Sequence, residues 1–323
     1  DDAIDFVFVA MHHAHHSELW PDGEAGFAST AVTRVDRFSR ECGKPAAMFY
    51  GHTHGYARGG SRDVPHLWIN VASAGGRLDR WGSDDAQYDD PETQVSQDEY
   101  GFVVLDVVAG DAPRFTLRRI GMGQADTSRA RVLRDEITVR RYDAAPTAPT
   151  PVAPRGRVAP GCTMLRTGDF ADSDGDLHGA THWQVADRCT GFDEPLLERY
   201  RVHENWFAGE DLQAGDDLRD EGFDELATGR FYCWRARHRD RGLAWSEWSS
   251  PTAFRLEADG DVDCVDEAPV EPDPLPPPTP VGIDGGSGSV PTGEGGGGCH
   301  AAGTSAPAVS VLVLLAFVRR RRA

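Results

Sequence analysis

Apolar residues run without a break through IDFVFVAM at 4–11 and again through AAMFY at 46–50. Runs of this length and composition match short strands buried on both faces. Between them, Ala31, Val32, Val35 and Phe38 recur at helical spacing across Ser29–Glu41, and Cys42 and Gly43 supply a stop. The pattern predicts strand, helix, strand. HLWINVASAGG at 66–76, GFVVLDVV at 101–108, PRFTLRRI at 113–120 and ITVRRY at 137–142 read as further strands, the last at a sheet edge. A Pro- and Ala-rich stretch at 143–160 then breaks the pattern and reads as an extended linker between a first unit, 1–142, and a second.

From 161 to 257 apolar positions alternate in short segments: HWQVA at 182–186, RYRVH at 199–203 and GRFYCWRARHRD at 229–240. This is the patterning of an all-β sandwich. Tyr232, Trp234, Ala236 and His238 are expected to face inward. Arg235, Arg237 and Arg239 would face outward, where guanidinium planes interleave with Trp245 and Trp248. Residues 258–298 are acidic, then Pro-rich, then Gly-rich; they cannot bury a core and read as a tether.

Composition narrows the function classes. A formal net charge of −19 opposes binding to nucleic-acid phosphates, and the one dense basic run is Arg319–Arg322. No nucleic-acid partner is expected. The six cysteines show no CxxC spacing, and four lie in or beside the sandwich region, which suits one or two disulfides in an oxidising compartment; unpaired buried thiols are the other reading. The apolar run at 306–318 ends against the four arginines. As a helix it reaches only ~20 Å, short of a ~30 Å hydrocarbon core unless residues from Ala301 join it, and the arginines would leave upstream residues outside the cytoplasm. Asp1 stands directly before a buried-strand pattern, so the chain is expected to be a C-terminal portion of something longer.

Candidate chemistry sits at the ends of the first two strands. His12 follows Met11 immediately after the first apolar run, and Gly51-His52-Thr53-His54 follows the second. Open sheets bind ligands beyond such strand ends. Imidazoles two residues apart in an extended segment diverge toward adjacent metals. His15 and His16 follow His12 closely, and either one contacts a substrate phosphate or protonates a leaving oxygen, or the pair is a solvated cluster.

These motifs, in this order and about 40 residues apart, resemble the C-terminal half of the calcineurin-like metallophosphoesterases, especially the purple acid phosphatase-like branch. The resemblance covers residues 4 to about 120. It implies a partial α/β phosphoesterase sandwich with flanking helices, and two divalent or trivalent metal ions (Fe, Zn or Mn) acting on a phosphate ester. By position, His12 and His52 would ligate one metal and His54 the other, with Tyr56 and Arg58 as substrate or site-wall residues. VASAGG at 71–76 resembles the family's glycine turn beside the site. The chain departs from the pattern at Ala14, His15 and His16. The family's Asp-bearing strand, Gly-Asp and Gly-Asn-His segments have no counterpart here, so this chain is expected to carry only the histidine half of the site.

TrpSerGluTrpSer at 245–249 after the arginine-rich strand resembles a fibronectin type III-like domain. The ending from Gly295 resembles the myxobacterial C-terminal sorting signal, which implies a sorting protease or lipidation machinery acting at Cys299. It also implies anchorage at the cell surface or outer membrane of a Gram-negative bacterium. Asp172, Asp174 and Asp176 in DSDGD invite a calcium reading, but Leu177 and Trp183 occupy the positions where an EF-hand loop has glycine and glutamate; a different carboxylate loop and a plain turn remain open. Two functions are therefore weighed: a surface-anchored metal-dependent phosphoesterase, and a non-catalytic adhesion protein with a degenerate phosphoesterase portion.

Overall fold

The computed structural model describes residues 4–124, 131–260, 264–265, 270, 272 and 316–319. β1 (Ile4–Ala10) and β2 (Ala46–Tyr50) are parallel neighbours joined through α1 (Gly26–Cys42), with Val7 to Ala10 opposite Ala46 to Phe49. The helix starts earlier than its apolar spacing predicts and stops as expected, at Gly43, whose φ of 57° is the left-handed conformation that glycine adopts without a side-chain penalty. β3 (Tyr56–Gly60) and β4 (His66–Asn70) follow; β4 is parallel to β2 and antiparallel to β3, and β5 (Thr93–Gln97) pairs with β3.

β6 (Gly101–Val108), β7 (Arg114–Gly121) and β8 (Val132–Arg140) form an antiparallel meander with β8 at one edge. Its inner face packs on the first sheet: Phe115, Leu117 and Val139 meet Phe6, Phe8, Leu67 and Ile69. On the sheet's other face, Val32 of α1 packs with Met48, Tyr50 and Trp68. Each fully buried side chain of this size contributes about 1.5–3 kcal/mol, so the two apolar faces of one sheet drive the layering.

The second unit opens with β9 (Pro151–Ala153) and β10 (Gly156–Val158), then β11 (Met164–Thr167), β12 (His178–Ala186) and β13 (Leu197–Val202). A small hairpin, β14 (Trp206–Phe207) and β15 (Glu210–Asp211), precedes β16 (Asp220–Gly222), β17 (Arg230–Asp240) and β18 (Thr252–Leu256). A five-stranded sheet in the order β10-β18-β17-β12-β13 and a three-stranded sheet, β16-β11-β9, enclose a core that includes Trp183, Trp234, Leu165 and Phe254. β9 and β10 fall inside the stretch expected as linker, so irregular chain between the units is confined to residues 141–150. Proline at a strand's start is compatible with pairing, which is how a Pro-rich segment enters a sheet.

Disulfides join Cys162 to Cys264 and Cys189 to Cys233, both in or beside the sandwich, and Cys42 is also disulfide-bonded. The inward set Tyr232, Trp234, Ala236 and His238 is buried, and the outward ladder forms: Arg235 lies 4.2 Å from the Trp248 ring, and Arg237 lies 4.2 Å from Trp245 and 4.6 Å from Trp248.

Residues 316–319 form β19 (Ala316–Arg319), antiparallel to β1, so the end of the run expected as a helix is a strand; 306–315 and Cys299 lie outside the described residues. Among the described residues no helix is long and apolar enough to cross a membrane, and α1 is the one α-helix. The fold is β-rich, with fewer helices there than the expected flanking set.

Candidate functional site

The parallel pairing of β1 and β2 brings the two histidine motifs together. The ladder continues past the strands, Met11 N–H donating to Phe49 O at 3.0 Å and Gly51 N–H to His12 O at 3.0 Å. His12 and His52 therefore emerge at the same end, and His52 Nδ1 stands 3.2 Å from His12 Nε2. Two ring nitrogens on one cation at ~2.1 Å each stand roughly 3.0–3.4 Å apart, depending on coordination angle, so this pair fits a shared ion.

His52 has φ 73°, a conformation that a non-glycine residue adopts only when its surroundings fix it. Buried Asn70 does so: its Nδ2 donates to Thr53 O at 2.9 Å and to Thr53 Oγ1 at 2.6 Å. Trp20 and His13 flank the His52 ring at centroid distances of 5.3 and 4.8 Å, and Phe27 lies edge-on to His13. Desolvation, followed by His13, His12 and His54, holds the His52 pKa below the ordinary histidine value. A neutral imidazole keeps the lone pair a metal requires.

His54 is held differently. Its backbone N–H donates to Asp79 Oδ2 at 2.7 Å, and its Nδ1 lies 2.7 Å from Arg77 O. A carbonyl only accepts, so Nδ1 carries the proton and Nε2 presents a lone pair, the arrangement common for metal-ligating histidines. Gly76 lies against this ring: a Cβ there would stand 2.9 Å from His54 Cε1, so the turn expected beside the site does pack on one of its histidines.

His15 and His16 are turned elsewhere. Their rings pack on each other and on Trp68 beneath α1, and His15 Nδ1 bonds Ser29 Oγ at 3.0 Å. Burial, then His16, pushes the His15 pKa down to about 3. Burial opposes charge on His16 as well, but Glu24, Asp90 and Glu92 outweigh it and raise its pKa. His15, His16 and Glu92 bring ligand atoms within 4.8 Å of one another, a second arrangement able to hold a cation.

Tyr56 and Arg58 do not line the histidine cluster. Both are buried on β3 and directed to β8: the Tyr56 hydroxyl donates to Asp135 Oδ2 at 2.5 Å, and Arg58 Nε and Nη2 grip Asp135 at 2.7 and 2.9 Å. Arg58 Nη2 also pairs with Glu204 of the sandwich. Burial works to raise the Glu204 carboxyl, but Arg58 and His203 outweigh it and hold the pKa down at about 2. A cleft of ≈ 440 Å³ between β8 and the sandwich is lined by Arg58, Asp135, Arg140, Asp176, His203 and Gly242 among others, and not by His12, His52 or His54.

The structure thus joins His12 and His52, places His54 next to them on the same turn, and separates them from His15, His16, Tyr56 and Arg58. His13, Trp20, Asn70 and Asp79 complete the surroundings, and sequence reasoning missed them. The aromatic between two histidine motifs was a usable signal for Trp20; Asn70 and Asp79 carry none that is local. A comparison with models of known families finds no match, and no curated protein is detectably similar in sequence.

Proposed function

We propose that this chain is the histidine-bearing part of a metal-dependent phosphoesterase similar to the calcineurin-like, purple acid phosphatase-like enzymes, carried outside the cytoplasm with a fibronectin type III-like sandwich behind it. The observation that carries the reading is the 3.2 Å approach of His12 Nε2 and His52 Nδ1 at the ends of two parallel strands. The disulfides of the sandwich favour the oxidising compartment.

In this reading His12 and His52 hold one metal ion and His54, through Nε2, a second. Bound metal would supply a hydroxide nucleophile and neutralise phosphoryl oxygens. The chain's own residues set the geometry: Asn70 fixes the turn that presents His52, Arg77 O fixes the His54 tautomer, and Trp20 packs against the His52 ring. Carboxylate ligands, which harden and bridge such a site, are the part this sequence does not contribute.

The test is hydrolysis of p-nitrophenyl phosphate by a chain extended at its N-terminus to include the Asp-bearing segments, alongside elemental analysis for Fe, Zn and Mn. Metal-dependent turnover that is lost in the His52→Ala His54→Ala double variant is expected. Full activity surviving that pair of substitutions would refute the reading.

A further inference from the structure

Five carboxylates converge where the two units meet. Asp143 lies three residues past β8, Asp172, Asp174 and Asp176 lie on the loop entering β12, and Asp240 ends β17. Ligand oxygens of Asp143, Asp174 and Asp176 lie within 4.8 Å of one another. A Cβ at Gly242 would stand 2.0 Å from Asp143 Oδ2 and 3.2 Å from Asp240 Oδ1, so those two carboxylates approach the same point, and any side chain at 242 would collide with Asp143.

What points to a ligand is the state of the oxygens. The Asp240 residue is 1% exposed and the Asp143 side chain 7% exposed. Asp143 Oδ2, Asp172 Oδ2 and Asp240 Oδ2 are all shut off from solvent and have no hydrogen-bond donor. Their sister oxygens are engaged: Asp172 Oδ1 accepts the backbone N–H of Asp174, Gly175 and Asp176 at 2.9, 3.0 and 3.3 Å, Asp143 Oδ1 accepts from Arg140, and Asp240 Oδ1 from Ala244 N–H. Buried carboxylate oxygens without partners are costly, and native structures resolve them with an ion, a water or a proton.

We infer that this junction is a calcium site, with Asp143, Asp172, Asp174, Asp176 and Asp240 as its ligands. The donor set is all oxygen, which excludes a preference for zinc and selects a hard cation. Calcium takes six to eight oxygens from flexible, irregular cages, whereas magnesium keeps several waters that solvent-excluded oxygens leave little room for. Arg140, bonded to Asp143 and Asp176, supplies one positive charge against five negative ones, so a divalent ion adds to it and need not displace it. The EF-hand spacing fails in this loop because the outstanding ligands come from the linker and from β17. Protons are the competing occupants: burial pushes Asp240 to about 7 and Asp143 to about 6 in the ion-free chain.

The experiment is calorimetric titration of the full chain, stripped with EDTA, with calcium chloride and separately with magnesium chloride. One calcium per chain is expected with a dissociation constant below about 1 mM, and magnesium weaker by at least ~10-fold. Asp174→Asn, at an exposed loop position, should weaken calcium by ~10-fold or more, and Asp143→Asn combined with it should abolish the binding heat. The His52→Ala His54→Ala variant should titrate calcium unchanged, which separates this site from the histidine cluster. Trypsin cleavage after Arg141 should slow with calcium. No heat up to roughly 5 mM calcium, or binding that Asp174→Asn and the double variant leave intact, overturns the site and leaves a cluster satisfied by Arg140 and protons alone.

Discussion

The histidine cluster at the ends of β1 and β2 and the Arg58–Asp135–Glu204 group between β3, β8 and the sandwich hold residues expected side by side in one site, yet they are built on opposite principles. His12 is exposed and His52 partly so, and their nitrogens face one another. Arg58 and Asp135 are buried, the Asp135 carboxylate is held at both oxygens by Arg58 and Tyr56, and Arg58 is shared with Glu204. Spare lone pairs mark a place that binds; a fully engaged buried charge marks a place that holds.

The largest effect that tests this contrast is Arg58→Ala. It leaves Asp135 buried without its counter-charge and should cost ~3–5 kcal/mol in urea unfolding; a loss under about 1 kcal/mol would remove the structural assignment. Acid should act on the same group. The Glu204 pKa is depressed in the folded chain, to about 2, so its stabilisation is complete above the unfolded carboxylate value of about 4.3 and is lost as pH falls from there through about 2. Unfolding midpoints should record a loss on the order of 2 kcal/mol across that window, reduced in Glu204→Gln. The smallest effect belongs to the other side: His12→Ala should shift stability by less than ~1 kcal/mol while metal content by elemental analysis drops. A large destabilisation there would make the histidines structural and erase the contrast.

The elements legible in the sequence are those whose burial follows from their own spacing. β1, β2 and α1 announce themselves by apolar runs and a helical repeat, and β17 by alternation. β3 and β5 do not. Tyr56–Gly60 ends in two glycines and Thr93–Gln97 is mostly polar, and what places them in a sheet is non-local: Gly59 pairs with Trp68 of β4, and a Cβ at Gly59 would stand 1.9 Å from that indole, which lies across the glycine. β14 joins β5 across the two units with Trp206 opposite Val95, a pairing no local pattern encodes. The site divides in the same way. The proximity of His12 and His52 is readable because both follow their strands at equivalent positions. Arg58 finds Asp135 across 77 residues, and the carboxylates at the junction gather from three separate segments, so each looks ordinary until the chain is folded.

The arginine and tryptophan ladder of the sandwich also grips the turn between β3 and β4. Arg239 donates to Ser61 O at 3.0 Å and to Val64 O at 2.9 Å, and Trp245 Nε1 donates to Arg62 O at 2.6 Å. All three acceptors are main-chain carbonyls. These three bonds therefore do not read the side chains at 61, 62 and 64, whereas losing the guanidinium at 239 or the indole at 245 removes the donors outright. At these three bonds the identity of the junction is carried by the sandwich side chains, whereas at Arg58–Glu204 and Arg62–Glu198 both units contribute theirs.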